Sequence, residues 1–166
     1  MKLPKSFVIA ATALASCMAA AEERHLFILS GQSNMQGLKE NTSVLPELKK
    51  LLPDADIQHI KYARGGQPIR KWVKTWDQIA RKHQLTQQFK DPSEFYDIVL
   101  KQAKAKIAEG KFDSITFLWM QGERDAKTGL AAAYEESMKT LIASLRRDLE
   151  TPKMNFVIGR LCDHLT

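Results

Sequence analysis

Ser114-Ile115-Thr116-Phe117-Leu118-Trp119-Met120 is an unbroken run of mostly apolar, β-branched and aromatic residues, stopped by Gln121-Gly122. A run of this length that ends at a glycine reads as a strand buried on both faces of a sheet. The same pattern recurs outward from it. His25 to Ser30 (H-L-F-I-L-S) is a second run, ending at Gly31. Ile57 to Ala63 is a weaker one, ending at Gly65-Gly66, and Asn155 to Ile158 after Pro152 is a short fourth. Helical patterns separate the later strands. Asp91-Pro92-Ser93-Glu94 predicts a helix start, with Asp as N-cap, Pro at the first position and Glu at the third. Phe95, Ile98, Val99 and Ile107 then hold one apolar face, and Gly110 is placed to end it. Leu130, Tyr134, Met138, Leu141, Leu145 and Leu149 step by three or four through a second helix. Strands alternating with helices of this length predict βαβ units, a parallel sheet and an α/β fold.

A parallel sheet binds its substrate at the carboxyl ends of the strands. Three predicted strands end in small, polar, glycine-containing turns: Gly31-Gln32-Ser33-Asn34-Met35, Gly65-Gly66-Gln67 and Gln121-Gly122-Glu123-Arg124-Asp125. The sheet would bring all three to one edge. Ser33 sits where the chain must turn sharply, so its hydroxyl can stand exposed and, given a base, attack a carbonyl carbon. Capping of a helix is the bland alternative for such a serine. Acyl transfer also needs donors for the developing oxyanion. Gly66 can present a backbone N–H, and Gln121 a side-chain amide; a plain turn and a loop brace are the competing roles.

The three blocks carry a resemblance. Gly31-Gln32-Ser33-Asn34-Met35 resembles the first block of SGNH hydrolases of the sialate O-acetylesterase and acetylxylan esterase group, with Gly-Gln-Ser in place of the usual Gly-Asp-Ser. Arg64-Gly65-Gly66-Gln67, with Trp72 downstream, resembles the second block, and Trp119-Met120-Gln121-Gly122-Glu123-Arg124-Asp125 the third, W-x-Q-G-E-x-D. The resemblance implies a three-layer αβα, flavodoxin-like sheet. It implies a serine esterase that removes O-acetyl groups from carbohydrate, of sialate or xylan type, through an acyl-enzyme. Ser33 would be the nucleophile, and the N–H groups of Ser33 and Gly66 with the Gln121 side chain the oxyanion hole. Gln32, Asn34, Glu123 and Asp125 would support the site. Neither a metal nor an organic cofactor is implied. Trp72, four residues from Trp76, is a candidate substrate contact if the two share a helix face as a stacking platform; packing beneath a loop is the preferred reading.

One family element is missing from the sequence. The family's general base and its orienting carboxylate come from a C-terminal Asp-x-x-His, and no such spacing follows Asp125; Asp163 and His164 are adjacent. The expectation is an SGNH domain over 22–166 that is C-terminally incomplete, weakly active or inactive, with an exposed apolar sheet edge. A glycan-binding remnant without catalysis is the alternative, and an exported α/β domain unrelated to carbohydrate a third reading.

The rest of the sequence bounds the setting. At 166 residues, with 44% hydrophobic and 27% charged, it is of ordinary globular composition and fits one domain. Residues 1–21 read as an export signal: Lys2 and Lys5, then an apolar run from Phe7 to Ala15. Ala19-Ala20-Ala21 fits a signal-peptidase site; Leu14-Ala15-Ser16-Cys17 resembles a lipobox, making residues 1–16 the signal and Cys17 a lipid anchor. Either implies a periplasmic, secreted or envelope-anchored protein. Losing the two lysines lowers the formal charge from +6 to +4, read as a solvated surface. Arg64, Arg70, Lys71 and Lys74 are read in the same way, and no basic stripe with aromatics points to nucleic acid. With only Cys17 and Cys162 present, a disulfide scaffold and a cysteine zinc site are excluded.

Overall fold

The computed structural model describes residues 22–85 and 93–161. The expected export segment (1–21), the expected helix start at Asp91-Pro92, and Cys162, Asp163 and His164 lie outside them. Four strands form one parallel sheet: β1 (Arg24–Gly31), β2 (Asp56–Ala63), β3 (Ser114–Met120) and β4 (Asn155–Ile158), in the order β2-β1-β3-β4. The predicted strands are all present, within a residue of their expected bounds.

The helices are α1 (Ser33–Gly37), α2 (Val44–Leu51), α3 (Trp76–Lys82), α4 (Glu94–Ile107), α5 (Glu123–Lys127) and α6 (Tyr134–Asp148). Alternation along β1 sorts the two layers. Phe27 and Leu29 pack with Met35 of α1 and Leu48 of α2, whereas Leu26 and Ile28 belong to the larger core built from α3, α4 and α6. Helices therefore cover both faces, and the domain has the SGNH-like α/β architecture. Of the apolar residues anticipated for α4 and α6, Phe95, Val99, Met138, Leu141 and Leu145 are buried, whereas Ile98, Ile107 and Tyr134 are partly buried; Tyr96 and Ala103, not anticipated, are buried in α4. On the edge strand β4, Val157 and Ile158 are half exposed.

The paired tryptophans follow the preferred packing reading and rule out the stacking platform. Trp72 ends a 3-10 turn (Ile69–Trp72), Trp76 opens α3, and both are fully buried. Trp72 meets Phe95 and Trp119 edge-on, at 4.9 and 5.1 Å between ring centroids. Its Nε1–H donates to Ser30 Oγ at 3.0 Å, and Ser30 in turn donates to the Tyr62 carbonyl. A ring with no accessible face cannot stack on a sugar, so Trp72 is core and not a substrate contact.

Chain order fixes where a ligand can enter. From β1 the chain crosses to β2 on one side, then passes over β1 to β3 and on to β4. The connections thus diverge at the β1/β3 boundary, where open α/β sheets leave a crevice.

Candidate active site

The first block is built around Gly31. Its φ is +148°, and a Cβ placed there would lie 2.1 Å from the Met120 carbonyl oxygen, so only glycine lets β1 end this close to β3. The turn is clamped on both sides. The Gln32 N–H donates to Met120 O (2.9 Å), and the Arg64 N–H donates to Gly31 O (3.0 Å). α1 begins at once, its first bond running from Gln36 N–H to Gln32 O at 2.8 Å. Ser33 is the first residue of that turn and is exposed, while Gln32 is buried. A first-turn N–H has no partner within its own helix, which leaves the Ser33 amide unused by α1.

The second block lies against it. A Cβ on Gly65 would stand 3.8 Å from Ser33 Cβ, and the Gly65 N–H donates to Gln36 Oε1 at 2.7 Å. Gln36 thereby pins this loop to the serine's helix. The sequence reading passed over it; its place three residues after Ser33, on the same face of one helical turn, was the available signal. Gly66 follows in the left-handed region at φ +67°, with no atom near where a Cβ would be.

The third block forms the floor. Asp125 is fully buried and accepts from Ile69 N–H (3.0 Å) and Gln121 Nε2 (2.5 Å). Gln121 Nε2 also donates to Gln67 O at 3.0 Å and approaches Gln32 Oε1 at 3.4 Å. Its two N–H bonds are thus directed at acceptors in the floor, so an oxyanion would receive one only if such a contact were given up. In this arrangement Gln121 braces the second block against the third. Glu123 is buried and accepts from Asn34 Nδ2 at 2.6 Å, tying α5 to the residue beside Ser33. Tyr134 completes the brace. Its hydroxyl donates to Gln121 O (2.6 Å) and accepts from Trp119 Nε1–H (3.0 Å), and burial pushes its ionisation well up. The sequence reading placed Tyr134 only on a helix face.

Burial pushes the Asp125 carboxyl above the usual aspartate range, against the hydrogen bonds from Gln121 and Ile69 and the nearby Arg70 charge. For an acid whose folded pKa is raised, the folded state holds the proton more tightly. Its contribution to stability is then greatest below the unfolded pKa and declines as pH rises through the folded one. Carboxyl-carbon NMR should show Asp125 titrating above the ordinary range, and Asp125→Asn should remove that part of the pH dependence of stability. A midpoint at or below the ordinary range would mean that the donors outweigh burial.

The structure thus brings Gln32, Ser33, Asn34, Gly66, Gln121, Glu123 and Asp125 to one sheet edge. The histidines among the described residues lie elsewhere. His25 is six residues before Gly31 on β1, about 20 Å down the strand, and bonds Ser114 there at 2.8 Å. His59 is mid-strand in β2, and His83 pairs with Glu136 at 2.8 Å.

Comparisons with known proteins agree with this architecture. Residues 47–165 match a family model described as "Carbohydrate esterase, sialic acid-specific acetylesterase". That span includes the second and third blocks and begins after Ser33. Among solved structures, a protein from Arabidopsis thaliana matches with a TM-score of 0.57 at 21% identity, covering 81% of this chain and 72% of that one. At that identity the likeness is one of fold. No curated protein matches the sequence.

Proposed function

Because the chain belongs to the carbohydrate esterase, sialic acid-specific acetylesterase family, we propose that it acts on O-acetylated carbohydrate with Ser33 as its nucleophile. The observation that carries this is the setting of Ser33. An exposed hydroxyl opens a helix at the β1/β3 crevice, packed against the loop of Gly65 and Gly66. In the reaction Ser33 Oγ attacks the acetyl carbonyl carbon and loses its proton to a base. The sugar oxygen departs with a proton, and water then hydrolyses the acetyl-serine to acetate. The backbone N–H groups of Ser33 and Gly66 are the proposed donors to the oxyanion, and Gln32, Asn34, Gln121, Glu123 and Asp125 hold them in place. From the export-signal pattern of residues 1–21 we propose that this activity lies outside the cytoplasm, in the periplasm, in the medium or on the envelope through Cys17.

No histidine among the described residues adjoins Ser33, and a positioned base is worth about a hundred- to ten-thousand-fold. We therefore expect slow turnover by this chain. The same observation favours the second reading, a glycan-binding protein with an idle serine. A fluorophosphonate probe separates the two. A serine esterase should become labelled, with the adduct on the peptide that contains Ser33. Labelling at other serines only, or none with the fold intact, would favour the binding protein.

A further inference from the structure

A second serine stands against a histidine at the end of the sheet away from Ser33. His25, near the start of β1, and Ser114, the first residue of β3, are lateral partners in the parallel register. Partners on neighbouring strands send their side chains to the same face. The ring of His25 therefore meets the serine, with Nδ1 and Ser114 Oγ 2.8 Å apart. His25 is buried and Ser114 half-buried. This is what Ser33 lacks among the described residues: a histidine within hydrogen-bond reach.

The other ring nitrogen sets the direction of that bond. His25 Nε2 lies 3.3 Å from Glu23 Oε2, close enough for attraction. The pair is not aligned for a hydrogen bond, so Nε2 is buried without such a partner among the described residues. A neutral imidazole carries one proton, and a carboxylate beside Nε2 draws it there. Nδ1 is then the acceptor for the Ser114 O–H. Other charges at this end pair among themselves: Arg24 Nε with Asp56 at 2.9 Å, and the Arg24 N–H with Asp113 at 2.9 Å. Glu23 is thus the carboxylate that faces the ring. Being exposed, it can swing into line as charge develops on the imidazole.

Ser114 also lines a cleft of about 340 Å³ at the starts of β3 and β4. Phe112, Ile115, Pro152 and Met154 give the cleft apolar walls. Thr151 lines it too, and its hydroxyl is buried with no hydrogen-bond partner among the described residues. An unpaired buried hydroxyl in a cleft wall is a donor left for a ligand.

We propose that Ser114, His25 and Glu23 form a second nucleophilic site, in which Ser114 takes the acyl group of small esters whose short apolar acyl chain sits in this cleft. Ser114 Oγ bonds to the carbonyl carbon as its proton passes to His25 Nδ1, and Glu23 balances the imidazolium. The ester C–O bond breaks and the alcohol leaves with that proton; water then releases the carboxylic acid and restores the serine. The site lies about 20 Å down β1 from Gly31, so it stands apart from Ser33 and from the carbohydrate reading.

The test is labelling of the full chain with a short-alkyl fluorophosphonate, the adducts being mapped to peptides by mass. The peptide that contains Ser114 should be labelled, whatever happens at Ser33. His25→Gln, with its circular dichroism unchanged, should slow that labelling by about a hundredfold or more, the contribution of a general base. Glu23→Gln, an exposed and isosteric change, keeps the test decisive should His25→Gln unfold, and should slow labelling by about fivefold. A folded chain with no adduct at Ser114, or labelling of Ser114 at the parental rate in either variant, would overturn the site. Adducts at Ser33 alone would leave the esterase reading standing and remove this one; adducts at Ser114 alone would do the reverse.

Discussion

Gly31→Ala is expected to destabilise the fold by about 3–5 kcal/mol, the sum of a backbone clash and a disfavoured φ. The added methyl would meet the Met120 carbonyl oxygen at 2.1 Å and its carbon at 2.7 Å. Both atoms are main chain in a central strand, so no rotamer change can clear them. Relief would require β1 and β3 to separate where they are hydrogen-bonded along their whole length. Since a domain of this kind has about 5–15 kcal/mol in total, the variant should lose about 10 °C or more in melting temperature and recover poorly as soluble protein. Gly37→Ala is the control: nothing lies within 4 Å of its would-be Cβ, and it should change stability by less than about 0.5 kcal/mol. A melting temperature for Gly31→Ala within a few degrees of the parent would show that the two strands can part at this point. The first block would then owe its glycine to something other than this close approach.

Gly31 also shows what was legible in the sequence. Strand ends were readable because each requirement is local: an apolar run must stop, and glycine is the residue that lets the backbone turn against a neighbour. The bounds of β3 and β4 were accordingly read without error. The short helices were not. α2 buries no residue fully, so it leaves only a faint apolar stripe, and α1 and α5 are five residues each, too short for any periodicity. Trp72 and Trp76 show the limit of spacing arguments. An interval of four places two residues on one helix face only if a helix runs through both, and here α3 begins at the second.

The site divides in the same way. Residue types and their convergence on one edge followed from the parallel sheet, whereas the direction of each polar group did not. Gln121 could be read equally as a donor to an oxyanion or as a loop brace, because the choice depends on an acceptor from Gln67, 54 residues away. Such long-range pairing leaves no local signal. Gln36 and Tyr134 were missed for that reason: their partners, Gly65 and Gln121 O, belong to other blocks.

Ser33→Ala should bring acetate release down to the rate without enzyme nucleophile, and the size of the fall is as informative as the fall itself. Exposed at the start of α1, the side chain lies outside both core clusters, and alanine keeps the Cβ that meets the Gly65 loop, so the variant should melt with the parent and any loss can be assigned to chemistry. If Ser33 works without a positioned base, the parent is slow and the ratio of rates should be about a hundredfold. If a base reaches it, the covalent route is intact and the ratio should approach about a millionfold, as when the nucleophile is removed from a complete triad. Titrating the parent's rate against pH separates these cases again. A histidine base gives a rise centred near its own pKa, around 6–7, whereas unaided serine attack increases with hydroxide and shows no plateau in that range. Retention of the parental rate by Ser33→Ala would remove Ser33 from the mechanism.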